Sequence, residues 1–394
     1  MIYLDNHATT RCDPRVVEAM LPWFSEHYGN PHSSHDLGKD SEQAVARSIE
    51  SLANDLGAVP DSVILTSGAT ESNHLAIIGA CTHPRQKRRH IITVTTEHPA
   101  VLDVFDVLQE QGFRVTRVPV LQDGDPNAGV VDMNRLAEAI DDDTALVSVM
   151  WANNEIGAIA PMKQIADLCH QAGALLHSDA TQAVGRLPVD VKEVDVDLLS
   201  ATAHKFYGPK GSGLLIVGNS NRRVRLRPLM VGGGQQQGLR SGTVNPAGAV
   251  GIATAMRLCN EHLAEHAEND RRLRDRLWQR LDAAIDGLRI NGPQLNGDAR
   301  LSGNLNLRLP DLQGQSWMSV TSGIAFSSGS ACSAAEAKPS HVLSGLGLAD
   351  SEARQSVRFG IGRFNTESDI ENASNRLIES YQQLVGEPKM SERS

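Results

Sequence analysis

Cysteines are few and scattered in this chain. Its 394 residues hold five, Cys12, Cys81, Cys169, Cys259 and Cys332. The number is odd and no CxxC pair occurs, so neither a disulfide framework nor a zinc knuckle is indicated. Aromatic residues are sparse, at 4%. Positive charge is in deficit, with a formal net charge of −10, which argues against general nucleic-acid binding. No apolar run approaches the ~20 residues of a membrane span. The opening Met1-Ile-Tyr-Leu-Asp lacks a signal-peptide pattern. Internal repeats and low-complexity tracts are missing too. A cytosolic, non-membrane protein is therefore expected.

What is present is enough for a packed enzyme of two or three domains. Between residues 60 and 220, short β-rich runs alternate with helical stretches. The strand candidates are Ser62–Thr66, His90–Thr96, Arg114–Val120, Thr144–Trp151, Ala174–Ser178, Asp195–Ala201 and Gly213–Val217. Several are continuously apolar, as strands covered on both faces are. Helices are expected at Ser72–Ala80, Ala100–Gln111, Met133–Ile140 and Met162–Ala172. This alternation predicts an α/β fold with a mostly parallel sheet, whose ligands sit at the carboxyl ends of the strands. Residues 246–286 read as one long helical region, with an apolar stripe at Leu273, Leu277, Leu281 and Ala284. Strand-like runs at 304–309 and 355–359 follow, then a helix from Thr366, where Thr366 and Asp369 have capping-box spacing. These elements suggest a second, smaller α+β domain. The tail from Gly386 reads as frayed.

The polar motifs fall at the predicted strand ends. Most telling is Ser200-Ala-Thr-Ala-His-Lys205-Phe-Tyr-Gly-Pro-Lys-Gly. A hydrophobic run delivers Lys205 to a sharp loop, where desolvation turns a lysine into a neutral, nucleophilic amine. The usual use of such an amine is a covalent link to a carbonyl cofactor, above all pyridoxal phosphate. Thr202 and His204 beside it are phosphate-type donors. Thr66-Ser-Gly-Ala-Thr-Glu-Ser-Asn73 opens a helix and suits an anion, though an ordinary helix cap reads the same way. His98 follows a strand and suits ring stacking or proton transfer, or a purely structural role. Asn153-Asn154-Glu155 ends another strand. Asp179, in Ser178-Asp-Ala-Thr-Gln182, is placed to pair with a protonated ring nitrogen or to cap a helix. Gln182 lies three residues on. The glycine-rich 231–243 segment ends in Thr243, a further phosphate donor or part of a linker. Arg358 has the fork that matches a carboxylate. Cys332 sits in Ser327-Ser-Gly-Ser-Ala-Cys-Ser, without bulky neighbours, and is the most accessible thiol by context. His27, His32 and His35 match no trusted metal pattern and read as a polar loop. The basic runs 85–90 and 222–227 read as solvated loops, or as docking sites for an acidic partner.

In order and combination these motifs resemble the cysteine desulfurases of the NifS/IscS type. The match starts at Tyr3-Leu-Asp-Asn-His-Ala-Thr-Thr10 and runs through Tyr28-Gly-Asn-Pro, Asn153-Asn-Glu-Ile-Gly and Arg240-Ser-Gly-Thr243 to Cys332. The resemblance implies a fold-type I pyridoxal-phosphate enzyme working as a homodimer. It implies that Lys205 carries the cofactor, Asp179 pairs with its ring nitrogen and His98 stacks on the ring as an acid/base. Asn154 and Gln182 would contact the ring oxygen. Ala69, Thr70, Thr202 and His204 would bind phosphate, with Thr243 reaching in from the other subunit. Arg358, with Asn154, would hold the carboxylate of L-cysteine, and Cys332 would take its sulfur as a persulfide for an acceptor protein. The implied domains are an N-terminal segment, 1–13, packing with the small domain, a large domain, 14–257, and a small domain, 258–394. Departures from the pattern are His74, the pair Gln236–Gln237, and a tail without a Trp- and His-containing end. They leave the acceptor open between iron–sulfur assembly, tRNA thiolation and DNA sulfur modification. The rival readings are an aminotransferase, a selenocysteine lyase and a non-catalytic assembly partner.

Overall fold

The computed structural model describes residues 1–218, 224–328 and 339–386. Cys332 and the tail after Gly386 lie outside them. A short first strand, β1 (Ile2–Tyr3), precedes those of the central sheet. These are β2 (Val63–Thr66), β3 (His90–Val94), β4 (Arg114–Val118), β5 (Thr144–Ser148), β6 (Leu175–Asp179), β7 (Leu198–Thr202) and β8 (Gly213–Val217). Among the described residues the central sheet has these seven strands, in the order β2-β8-β7-β6-β5-β3-β4. β3 to β7 are mutually parallel, and β8 runs antiparallel between β2 and β7. Six of the seven are continuously or almost continuously buried, β4 at the edge being the exception. That is the burial expected when helices cover both faces. The helices predicted between them form at Ala69–Cys81, Pro99–Glu110, Met133–Ala139 and Met162–Gln171.

Two smaller sheets lie apart from this one. β9 (Arg289–Ile290), β10 (Asn304–Arg308), β11 (Ile324–Ala325), β12 (Ser327–Ser328) and β13 (Ser356–Gly360) supply their strands. β1 pairs in parallel with β11. The other four form an antiparallel sheet in the order β12-β13-β10-β9. Its core holds Leu305, Leu307, Trp317, Val357 and Phe359, together with Leu4 from the N-terminus. Leu301 and residues from Val342 to Ala353 instead join the large core around the central sheet. Thr366 and Asp369 form the expected reciprocal cap, each backbone N–H donating to the other's side chain at 3.0 and 3.1 Å.

Two elements differ from expectation. The long helical region is two helices, Pro246–Asn260 and Leu263–Asp282, separated at His262. Their apolar faces serve different cores: Ala249, Ile252 and Met256 join the large one, and Leu273, Leu277 and Leu281 the smaller. A straight helix cannot present both stripes to cores in different directions. In addition, residues 36–55 form a 20-residue helix, with the His35 imidazole accepting from the Gly38 N–H at its start. The polar surroundings of His27, His32 and His35 hid that cap.

One close backbone approach shapes the site. A Cβ on Gly213 would lie 2.5 Å from the Gly68 Cα and 2.8 Å from the Ala201 oxygen. All these atoms are backbone, so relief needs strand movement. Gly213→Ala is expected to destabilise the fold by about 1–3 kcal/mol, read as a lowered melting temperature.

Candidate active site

The carboxyl ends of β6 and β7, the start of helix Ala69–Cys81 and the N-terminal segment converge on one cavity of about 670 Å³. Most of the predicted residues line it: Ala69, Thr70, His98, Asn154, Asp179, Gln182, Thr202, His204, Lys205 and Arg358. Thr243 lies on a neighbouring cavity of about 180 Å³, which shares Ser67 and Gly211 with the first. Cys332 is not among the described residues.

Lys205 follows β7 on a single helical turn, Ala203–Lys205. Its Nζ donates to the His7 and Ala8 carbonyls, both at 2.7 Å. Burial, with the positive charges of Arg186 and Arg358, lowers its pKa to about 7. Carbonyl oxygens do not fix a proton on the amine as a carboxylate would, so a sizeable neutral fraction exists at neutral pH.

An anion cradle faces this amine. Helix Ala69–Cys81 starts after Gly68, whose φ is 154°, and no side chain caps it. A helix start leaves its first backbone N–H groups without intrahelical acceptors. The Ser67 N–H is taken by Glu71, at 2.7 Å, which leaves those of Ala69 and Thr70 beside the cavity. Thr202 is buried, its hydroxyl 3.2 Å from the Ser212 carbonyl. His204 contacts the Thr9 hydroxyl at 3.1 Å. Burial, Lys205 and Lys210 depress its pKa to about 4, so its imidazole is neutral at physiological pH.

Asp179 ends β6 and is buried. One carboxylate oxygen accepts from the Asn73 side chain at 2.7 Å, the other from the Thr181 N–H at 3.0 Å. His98 caps helix Pro99–Glu110, its Nδ1 accepting from the Ala100 N–H at 3.1 Å. The neutral ring therefore carries its proton on Nε2. Burial lowers its pKa, which favours that neutral form. Gln182 is already engaged: its amide donates to the His7 carbonyl at 2.9 Å, and its oxygen accepts from Arg186 and meets the His7 ring at 3.1 Å. Arg358 reaches over from β13.

Several residues with no predicted role complete the site. Asn73 positions Asp179. Arg186 is half-buried, and donates to Gln182 and to the Asn6 carbonyl. Glu97 is fully buried and accepts from the Met150 N–H at 2.5 Å. Burial first, then the nearby Asp179 charge, pushes its pKa well above the carboxylate range. Asn73 lies in the Thr66–Asn73 motif, where a polar residue on an opening helix turn was the usable signal, and Glu97 directly precedes His98. Arg186 had no local signal. The basic run at 85–90 is partly structural: Arg88 donates to the Thr144 and Ala172 carbonyls, and Arg89 lies over the Phe113 ring.

A desolvated amine opposite an anion cradle, at the carboxyl edge of such a sheet, defines the class: fold-type I enzymes that hold pyridoxal phosphate. The family is particular as well. The aminotransferase class-V model matches residues 2–373, and the chain belongs to that family, whose members are pyridoxal-phosphate-dependent. The chain is 43% identical over 384 residues to the cysteine desulfurase IscS of Rickettsia bellii (strain OSU 85-389), covering 97% of this chain and 92% of that one. Among solved structures, a NifS-like protein superposes with a TM-score of 0.88 at 35% identity, covering 97% and 99% of the two chains. The structure of SspA in complex with cysteine gives 0.79 at 32% identity, covering 93% and 100%. No helix among the described residues is long and apolar enough to cross a membrane.

Proposed function

We propose that the protein is a cysteine desulfurase that uses pyridoxal phosphate to convert L-cysteine to L-alanine. The sulfur passes to Cys332 as a persulfide and then to an acceptor protein. The reaction balances without an external oxidant: the substrate's Cβ–S bond breaks, an S–S bond forms at Cys332, and Cβ gains a hydrogen. The observation that carries the reading is the meeting of Lys205, Asp179, His98 and the anion cradle in one cavity. It is supported by the relative named above, similar over almost its whole length.

The residues fit the cofactor. Lys205 supplies the amine that holds its aldehyde. The Ala69 and Thr70 N–H groups, Thr202 and His204 form the phosphate cradle, with Thr243 contributed by a second subunit of a homodimer. Asp179 would hold the ring nitrogen protonated, and His98 would stack on the ring. Asn154 and Gln182 would lie at the ring oxygen. When bound, the cofactor withdraws electrons from the substrate's Cα. Lys205 would also be the base that takes the substrate's Cα proton, its burial favouring the neutral amine. Arg358, with Asn154, holds the substrate carboxylate, and Cys332 is the nucleophile toward sulfur. The same reading divides the chain into residues 1–13, 14–257 and 258–394.

The test uses the intact protein with L-cysteine and a thiol reductant. Alanine and sulfide are expected in equal amounts, and without reductant the peptide containing Cys332 should carry one extra sulfur atom. A keto acid in place of alanine would instead make the enzyme an aminotransferase. Extra sulfur on a different cysteine would remove Cys332 from the mechanism.

A further inference from the structure

Arg358 is buried; its Nε–H has no partner among the described residues, while both terminal nitrogens are engaged. One terminal nitrogen, NH2, donates to the Asp5 carboxylate at 2.8 Å and to the Ser327 hydroxyl at 3.0 Å. The other, NH1, donates to the Asn154 carbonyl at 3.0 Å. Ser327 in turn donates to the same Asp5 oxygen at 2.9 Å. Asp5, Ser327 and Arg358 thus close a three-membered ring of hydrogen bonds. β12 pairs Ser327 directly opposite Arg358, and β13 ends at Gly360, which bridges to Asp5. The ring is therefore built by strand register, not by chance rotamers.

This geometry has a consequence for any carboxylate that approaches. A two-toothed guanidinium–carboxylate contact needs two parallel N–H bonds on one edge of the fork. Both edges that offer such a pair use a hydrogen on NH2. NH2 already serves both Asp5 and Ser327, whose oxygens lie 2.9 Å apart. A carboxylate must displace one of them, or settle for a single bond. It also meets the Asp5 negative charge, whose side chain is only 17% exposed beside an arginine at 11%.

We infer that Asp5 is a positioning residue that competes with the substrate's carboxylate for Arg358. It holds the fork in place and sets how strongly a carboxylate binds there. The inference rests on Arg358 being the substrate clamp. A purely structural Asp5 would only lose function when altered. A competing Asp5 predicts a gain in affinity when its charge is removed but its shape and acceptor are kept.

The experiment measures binding to the cofactor-loaded protein by calorimetry, with two fragments of the substrate. One is 3-mercaptopropionate, which keeps the carboxylate and lacks the amine. The other is cysteamine, which lacks the carboxylate. In Asp5→Asn, 3-mercaptopropionate is expected to bind about tenfold tighter, a moderate gain because the pair is partly screened. Cysteamine should change by less than about twofold, and KM for L-cysteine should fall with kcat little altered. Ser327→Ala, which releases one NH2 hydrogen without changing charge, should move 3-mercaptopropionate in the same direction by a smaller factor. It decides the matter if Asp5→Asn does not fold. Unchanged or weaker 3-mercaptopropionate binding in the folded variants, or equal shifts for both fragments, overturns the inference. Arg358→Lys separates the two levels. If it leaves 3-mercaptopropionate binding intact, the clamp reading itself falls. If it weakens that binding while Asp5→Asn brings no gain, only the role of Asp5 falls.

Discussion

Replacing Lys205 with alanine is expected to abolish turnover of L-cysteine, a loss of at least about 10⁴-fold, and to remove the visible absorbance that bound cofactor gives the protein. The cavity has one other amine, Lys210, which is exposed on the loop beyond the Gly-Pro turn. Lys205 alone combines burial with neighbours that repel its proton, the guanidinium groups of Arg186 and Arg358. The same environment fixes the pH dependence. With the amine near pKa 7, capture of added pyridoxal phosphate by cofactor-depleted protein should level off above pH 7. Below it, the rate should fall about tenfold per pH unit as the neutral amine is lost. Stability carries the matching sign. The unfolded lysine titrates near its usual 10.5, so between pH 7 and 10.5 the unfolded chain binds the extra proton and stability rises with pH. Below pH 7 both states are protonated and the cost of burying the charge is felt in full. Cofactor-depleted wild type should therefore gain stability relative to Lys205→Ala as pH rises from 7 to 10. A variant that still turns over cysteine, or a capture rate flat down to pH 5, would contradict the assignment.

How much of this was legible beforehand depends on the range of the interactions. Strands β2, β3 and β5 to β8 were readable because a strand covered on both faces is a largely apolar run, the edge strand β4 being the exception, and each predicted run contains the observed strand or overlaps nearly all of it. Lys205, Asp179 and His98 were readable because each sits at or just past the end of such a run, where topology places ligands. The break at His262 was not, since one helical periodicity runs on both sides and only the position of the two cores separates them. Arg186 was not, because its partner Asn6 lies 180 residues away in sequence. The Asp5–Arg358 pair spans 353 residues in sequence. Such pairs form only when β13 closes over the N-terminal segment, and no spacing rule reaches that far. Gln236 is a related case. Its side-chain amide both donates to and accepts from the Leu65 backbone, at 2.9 and 2.7 Å, completing the open edge of β2. A substitution that looked like a departure in the sequence is, in the fold, a substitute for a missing neighbouring strand.

Asp179→Asn is expected to lower kcat by about 10²–10³-fold while the protein still folds and still retains its cofactor. Folding survives for a local reason. Asn73 donates to Asp179 at 2.7 Å, and its own side-chain oxygen is buried without a partner among the described residues. In the variant, a flip of the Asn73 amide turns that oxygen toward the N–H of the amide introduced at position 179, and the hydrogen bond is kept with donor and acceptor exchanged. The Thr181 N–H can still donate to the other side-chain atom, an oxygen in both forms. Cofactor retention survives because Lys205 and the phosphate cradle are untouched. What disappears is the negative charge at the end of β6, which the proposed function assigns to holding the ring nitrogen protonated. Glu97 supplies a second readout that a structural role for Asp179 would not move. Its carboxyl is held well above the usual range by burial and, next, by the Asp179 charge. Removing that charge lets Glu97 ionise at lower pH, a downward shift measurable from the infrared band of the protonated carboxyl against pH. Full activity in Asp179→Asn would end the assignment of Asp179 to the ring nitrogen. A Glu97 band that titrates unchanged would show that the two carboxyls do not share a field.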